Sequence, residues 1–149
     1  MGKKKFYSIK FTRGGVTLVR LASVGFLVLM VYASLPPLKV FKAQKITVNN
    51  VFSEGAIKRT DMYMSAINNP FAREAEYLSS SSDLIGLNRL LEAKKILLIA
   101  TNRFPLNYDL RRRLLLVDTM TVDKKSMAFD SKVLAEIDPV GSNPITPHE

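Results

Sequence analysis

The chain has 149 residues, no cysteine and a formal net charge of +9, which allows one ordinary domain, excludes disulfides and thiolate metal sites, and raises the question of nucleic acid. Six cations and no acid fall within the first twenty residues, leaving +3 for the other 129. With no aromatic residues interleaved along a basic stripe, this balance suits anionic lipid headgroups and speaks against a nucleic-acid partner.

Lys3, Lys4 and Lys5 lead a basic tail over 1–13, the predicted contact with those headgroups. Residues 14–35 follow as a predicted transmembrane helix. "LASVGFLVLMVYASL", Leu21 to Leu35, is uncharged, and "GGVTLV" extends it if Arg20 lifts its guanidinium to the interface along its own stem. Pro36 and Pro37 lack backbone donors and restrict the residue ahead of them, so the helix is expected to end near Leu35. Val31-Tyr32-Ala33 also fits the small-residue pattern read by signal peptidase. An uncleaved anchor is the expectation, from the length of the extended run, and a cleaved signal is the alternative. Six cations precede or enter the segment against Lys39, Lys42 and Lys45 behind it, which orients the N-terminus inwards.

Residues 36–52 mix β-branched and basic side chains without a sustained period and read as a juxtamembrane connector. Ser53 can cap a helix whose apolar set is Ile57, Met62, Met64, Ala66 and Ile67, ending at Pro70. "FAREAEYL" is a short helix that the run Ser79 to Ser82 is expected to interrupt, with Asp83 capping the next one. In that next helix Leu90, Ala93, Leu97, Ala100 and Phe104 step by three, four, three and four, one continuous apolar stripe. A third unit repeats the plan: Leu106, Leu110, Leu114 and Val117 lie on one face, and Asp123 starts a helix with Ala128 and Ala135 seven apart, as Ala93 and Ala100 are.

Proline follows the helix end each time. Pro70, Pro105 and Pro139 are spaced by 35 and 34 residues, so residues 53–139 are read as an all-α module of stacked helix hairpins, ahead of a Pro-rich tail over 140–149. The pattern resembles the tetratricopeptide repeat. Ala93, Leu97, Ala100 and Pro105 sit at the family's small, large, small and proline positions, and Tyr77 at its first-helix aromatic. Ser80 and Ser81 replace the family's Leu-Gly pair, and Leu84 replaces its tyrosine. The family alignment runs the first helix through the serines, and it places Ala128 and Ala135 one residue out of register with Pro139. A membrane helix followed by such units also resembles the C-terminal tail of bacterial O-antigen ligase and polymerase-type membrane proteins, whose catalytic multi-span part this chain lacks.

Chemistry is sparse. His148 is the single histidine, in the tail, and no Gly-rich phosphate loop or metal-ligand spacing occurs, so no cofactor and no catalytic residue are expected. Arg111, Arg112 and Arg113 fan over about 200° of a helix, so at least one should leave the core, as a solvated face or a contact for an acidic partner or lipid phosphate. The expectation is a non-catalytic, single-pass membrane-anchored repeat protein that docks protein partners. The alternatives are the periplasmic part of a glycan ligase or polymerase, or an accessory subunit of a large respiratory-type complex. The expected site is the bacterial inner membrane with the module periplasmic; the mitochondrial inner membrane is the alternative. Because burial in such a stack is local, a soluble fragment from Ser53 onward is expected to keep its core.

Overall fold

A computed structural model describes residues 13–138; Lys3, Lys4, Lys5, Pro139 and the tail with His148 lie outside them. These residues form six α-helices: α1 (Arg13–Gln44), α2 (Glu54–Ile67), α3 (Glu74–Gly86), α4 (Leu90–Arg103), α5 (Tyr108–Met120) and α6 (Lys124–Ile137). The all-α expectation holds for them. The chain divides into two compact units, one up to Ser34 and one from Leu35 on.

In the first unit no residue from 15 to 34 is buried, and Leu18, Leu21, Phe26, Leu27 and Val28 are all well exposed. The helix is long and apolar enough to cross a membrane.

The expected stop at Leu35 is corrected. α1 runs through Pro36 and Pro37 to Gln44, so only 45–52 of the supposed connector is irregular. A proline inside a helix removes a hydrogen bond and crowds the preceding turn, and it persists where neighbouring packing compensates. Here Pro36, Val40 and Ala43 are buried on one face at steps of four and three. They make the end of α1 the first helix of the second unit.

α2 starts where predicted, with Ser53 Oγ accepting from Ala56 N at 3.2 Å. Its Ala56, Tyr63, Ala66 and Ile67 are buried, whereas Ile57 is exposed. Gly55 is required by space, because a Cβ there would stand 2.3 Å from the Thr47 carbonyl oxygen. α2 runs antiparallel to the end of α1, since Lys39 Nζ donates to Ser65 Oγ at 2.7 Å and Arg59 Nη2 donates to the Gln44 carbonyl at 3.0 Å.

The serine run does not interrupt α3, which passes through it as the family alignment has it. Ser80 and Ser81 are fully buried; side chains this small let neighbouring helices approach closely. The helix start is fixed by Glu76, which accepts from Arg73 N at 2.7 Å. In α4, Ala93, Leu97 and Ala100 are fully buried as expected, joined by Ile96, while Leu91 is exposed. Leu110, Leu114 and Val117 form the buried face of α5; Leu106 lies outside the helix, exposed.

Ala128 and Ala135 are also corrected. Both are exposed, and α6 buries Asp130 and Leu134 instead, with Met127 half-buried. Relative to Pro139, Met127 and Leu134 hold the register that Ala93 and Ala100 hold relative to Pro105. The alanines are one position away from the seam.

α3 packs on α4, α4 on α5 and α5 on α6, with α3 also touching α5 and α2 touching α4. α3 and α5 start 34 residues apart, as do α4 and α6. Several polar contacts join residues at the same separation: Gln44 Nε2 to Ser79 Oγ, 35 apart at 2.8 Å, Arg103 Nη1 to the Asn69 carbonyl, 34 apart at 3.3 Å, and Arg113 Nη1 to the Leu78 carbonyl, 35 apart at 2.9 Å.

The turns before α4 and α6 contain Asn88 and Val122, 34 apart, with φ of 57° and 58°. Asn tolerates this left-handed conformation, whereas a β-branched side chain is strained in it. Val122→Asn should therefore stabilise the second unit by about 1 kcal/mol. A denaturant midpoint unchanged or lowered in that variant would refute the assignment of strain.

Candidate functional site

The arginine run divides three ways. Arg111 turns inward and donates from Nη1 to Asp130 Oδ1 on α6 at 3.0 Å, with 13% and 3% of the two side chains exposed. Arg113 is half-buried and donates to the Leu78 carbonyl of α3. Arg112 is exposed. With Ser82 and Ile85 of α3 and Asp109, Arg113 and Leu116 of α5, it lines an open groove of about 470 Å³. A second groove of about 650 Å³ runs from Gln44 over Ser79, Ser82, Asp83 and Gly86. Ser82 lines both, so the grooves adjoin along α3.

Two further ion pairs, half-buried at Arg59, Asp83 and Lys94, link successive helices, and sequence reasoning missed both. Arg59 of α2 meets Asp83 of α3, with Nη1 at 3.0 Å and 2.9 Å from its two carboxylate oxygens. Asp83 is thus no helix cap. It also accepts from the Tyr63 hydroxyl at 2.8 Å, and burial together with that carboxylate holds the hydroxyl far above its ordinary titration range. Lys94 of α4 meets Asp118 of α5 at 2.7 Å. Each residue of this second pair stands 35 positions after its counterpart in the first. That spacing was the available signal.

Around Lys94 the charges are dense. Its ammonium also donates to Asp123 Oδ2 at 2.7 Å. Asp123, capping α6 by accepting from Ser126 N at 3.2 Å, is held down to about 2, chiefly by Lys94. The two carboxylates raise Lys94 in turn, Asp118 foremost. Asp118 is fully buried, and neither of its oxygens receives a well-directed hydrogen bond. It lines a cavity of about 520 Å³ with Arg111, Asp130, Lys125, Ser126 and Phe129. Burial pushes Asp130 up, and the neighbouring Asp118 carboxyl adds to this against the pull of Arg111.

Among the described residues no cluster of three or more His, Cys, Asp or Glu is placed to hold a metal ion. The repeat-packing residues Ala93, Leu97 and Ala100 come together in the core with Tyr77, whose ring meets Phe104 edge-on at 5.9 Å. Pro105 lies in the turn between α4 and α5. No protein-family model, curated protein or solved structure matches the chain.

Proposed function

We propose that the chain is a single-pass membrane-anchored, tetratricopeptide-like helical module that docks a protein partner and performs no chemistry of its own. The carrying observation is that one continuous helix serves two environments: its first part exposes apolar side chains throughout, and its last turns bury Pro36, Val40 and Ala43 in a helical core. A surface so apolar is untenable in water and suits a bilayer. The repeat reading is supported by the 34-residue spacing of helix starts, by polar contacts at the same separation and by the recurring ion pair.

The docking face is the pair of grooves along α3. Small polar side chains at Ser79 and Ser82 leave room for an incoming segment, and Arg112 is the exposed cation at its edge, suited to a partner carboxylate. Two measurements test this reading. The chain should stay with the membrane pellet through alkaline carbonate extraction; release into the supernatant overturns the anchor. Arg112→Glu should leave the unfolding free energy within about 0.5 kcal/mol of the parent and abolish co-purification of a stoichiometric partner from solubilised membranes. Equal recovery of that partner with the variant overturns the docking face.

A further inference from the structure

The last turns of α1 carry two opposite faces. Pro36, Val40 and Ala43 are buried in the core of the second unit. At about 100° per residue, Leu38, Phe41 and Lys42 fall on the other side, and Lys45 follows there in the turn that closes the helix, its N–H donating to the Lys42 carbonyl at 3.2 Å. This outer stripe is open: Leu38 and Phe41 are 47% and 54% exposed, and both lysines are exposed as well. No acidic residue occurs from 38 to 45, and among the described residues no carboxylate pairs with Lys42 or Lys45. Lys39 is not part of it, because its Nζ donates to Ser65 Oγ of α2.

Along the axis the apolar side chains come first and the cations last, the order that a lipid interface sorts by depth. Residues 15–34 measure about 30 Å as a helix, the thickness of a hydrocarbon core. With Ser34 at its edge, Leu38 stands about 6 Å and Phe41 about 10 Å further out, against a headgroup layer about 5–8 Å deep. Side chains of a helix lean towards its N-terminus, which here is back towards the anchor. Lys45 shows that lean, with its ammonium over the Phe41 ring, 4.3 Å from the centroid and one turn nearer the anchor.

We propose that this stripe is a binding surface for anionic phospholipid, with Leu38 and Phe41 among the uppermost acyl carbons and Lys42 and Lys45 at the headgroup phosphates. It rests on the anchor reading and adds a lipid contact separate from the one expected at Lys3, Lys4 and Lys5. Two observations select lipid over a protein partner. The stripe continues the exposed apolar surface of residues 15–34 along one unbroken helix, and its charge is entirely positive. Because the opposite face of the same turns is core, lipid held here bears directly on the second unit.

The chain has no cysteine, so a single introduced thiol carries the only label. Leu38→Cys and Leu27→Cys are each labelled with bimane in the full chain and reconstituted into vesicles of phosphatidylcholine and phosphatidylglycerol. Quenching by a brominated form of either lipid gives their relative affinity at the label. At 27 both lipids should quench. At 38 brominated phosphatidylglycerol should quench better, with a relative binding constant raised about fivefold for each lysine engaged, and Lys42→Gln combined with Lys45→Gln should bring the two lipids level. Equal quenching at 38 in the parent overturns the surface, and so does a phosphatidylglycerol preference that survives the double variant. A label at 38 that neither lipid quenches, while both quench at 27, overturns the surface and leaves the anchor standing. A label at 27 that neither lipid quenches overturns the anchor reading and the surface with it.

Discussion

Arg59→Ala should destabilise the second unit by about 2–4 kcal/mol, more than the loss of an exposed bridge and approaching that of a buried pair broken from one side, because the two side chains are 11% and 25% exposed. The guanidinium does three things at once. It neutralises Asp83, it donates to the Gln44 carbonyl at 3.0 Å, and it donates to the Ile46 carbonyl just beyond α1. Those carbonyls belong to a helix end, where donors are missing by construction. Removing the side chain leaves Asp83 with the Tyr63 hydroxyl and without its ion pair. Arg59→Lys should recover part of the loss, because an ammonium restores the charge but not the fork that reaches α1 and α3 together. The measurement is a urea melt of the full chain in micelles. A loss below about 1 kcal/mol in Arg59→Ala would mean that the pair behaves as a solvated surface bridge.

Tyr77→Ala should cost a similar amount, about 3–5 kcal/mol, for a different reason. The side chain is fully buried, its ring packs edge-on against Phe104, and its hydroxyl donates to the Ile67 carbonyl in the last turn of α2 at 3.0 Å. Truncation would open a ring-sized cavity between α2, α3 and α4. Tyr77→Phe keeps the ring and loses the hydroxyl's bond to the Ile67 carbonyl and the long one it accepts from Arg103 Nη1 at 3.4 Å, so about 1 kcal/mol is expected. If the two variants melt alike, the hydroxyl and not the ring anchors this junction.

The apolar stripe of α4 was legible because Ala93, Leu97 and Ala100 obey a local rule, the steps of three and four that place residues on one helix face. The same rule was available at Pro36, Val40 and Ala43, but the two prolines were read as a stop, a local preference that tertiary burial overrides. Asp83 illustrates a second limit. Its sequence neighbourhood suggests a cap, and its partner lies 24 residues away on another helix, so no local rule could find it. Ala128 and Ala135 failed by register alone: spacing of seven is satisfied equally by Met127 and Leu134, and only the distance to Pro139 distinguishes them. Of the arginine run, the fan predicted one outward side chain. It could not say that the other two would be held by α6 and by the α3 backbone.

The route of α1 bears on proteolytic shedding. A protease cutting the turn at 45–53 would separate the helices from α2 onward from Pro36, Val40 and Ala43, and it would take from Arg59 the Gln44 carbonyl that it grips. The fragment from Ser53 onward, expected from sequence to keep its core, would lose a wall of it. Cleavage there would therefore strip the second unit of part of its core. If the first part of α1 sits in a bilayer as proposed, a folded release of the second unit requires a cut ahead of Pro36, inside a helical stretch of exposed apolar side chains.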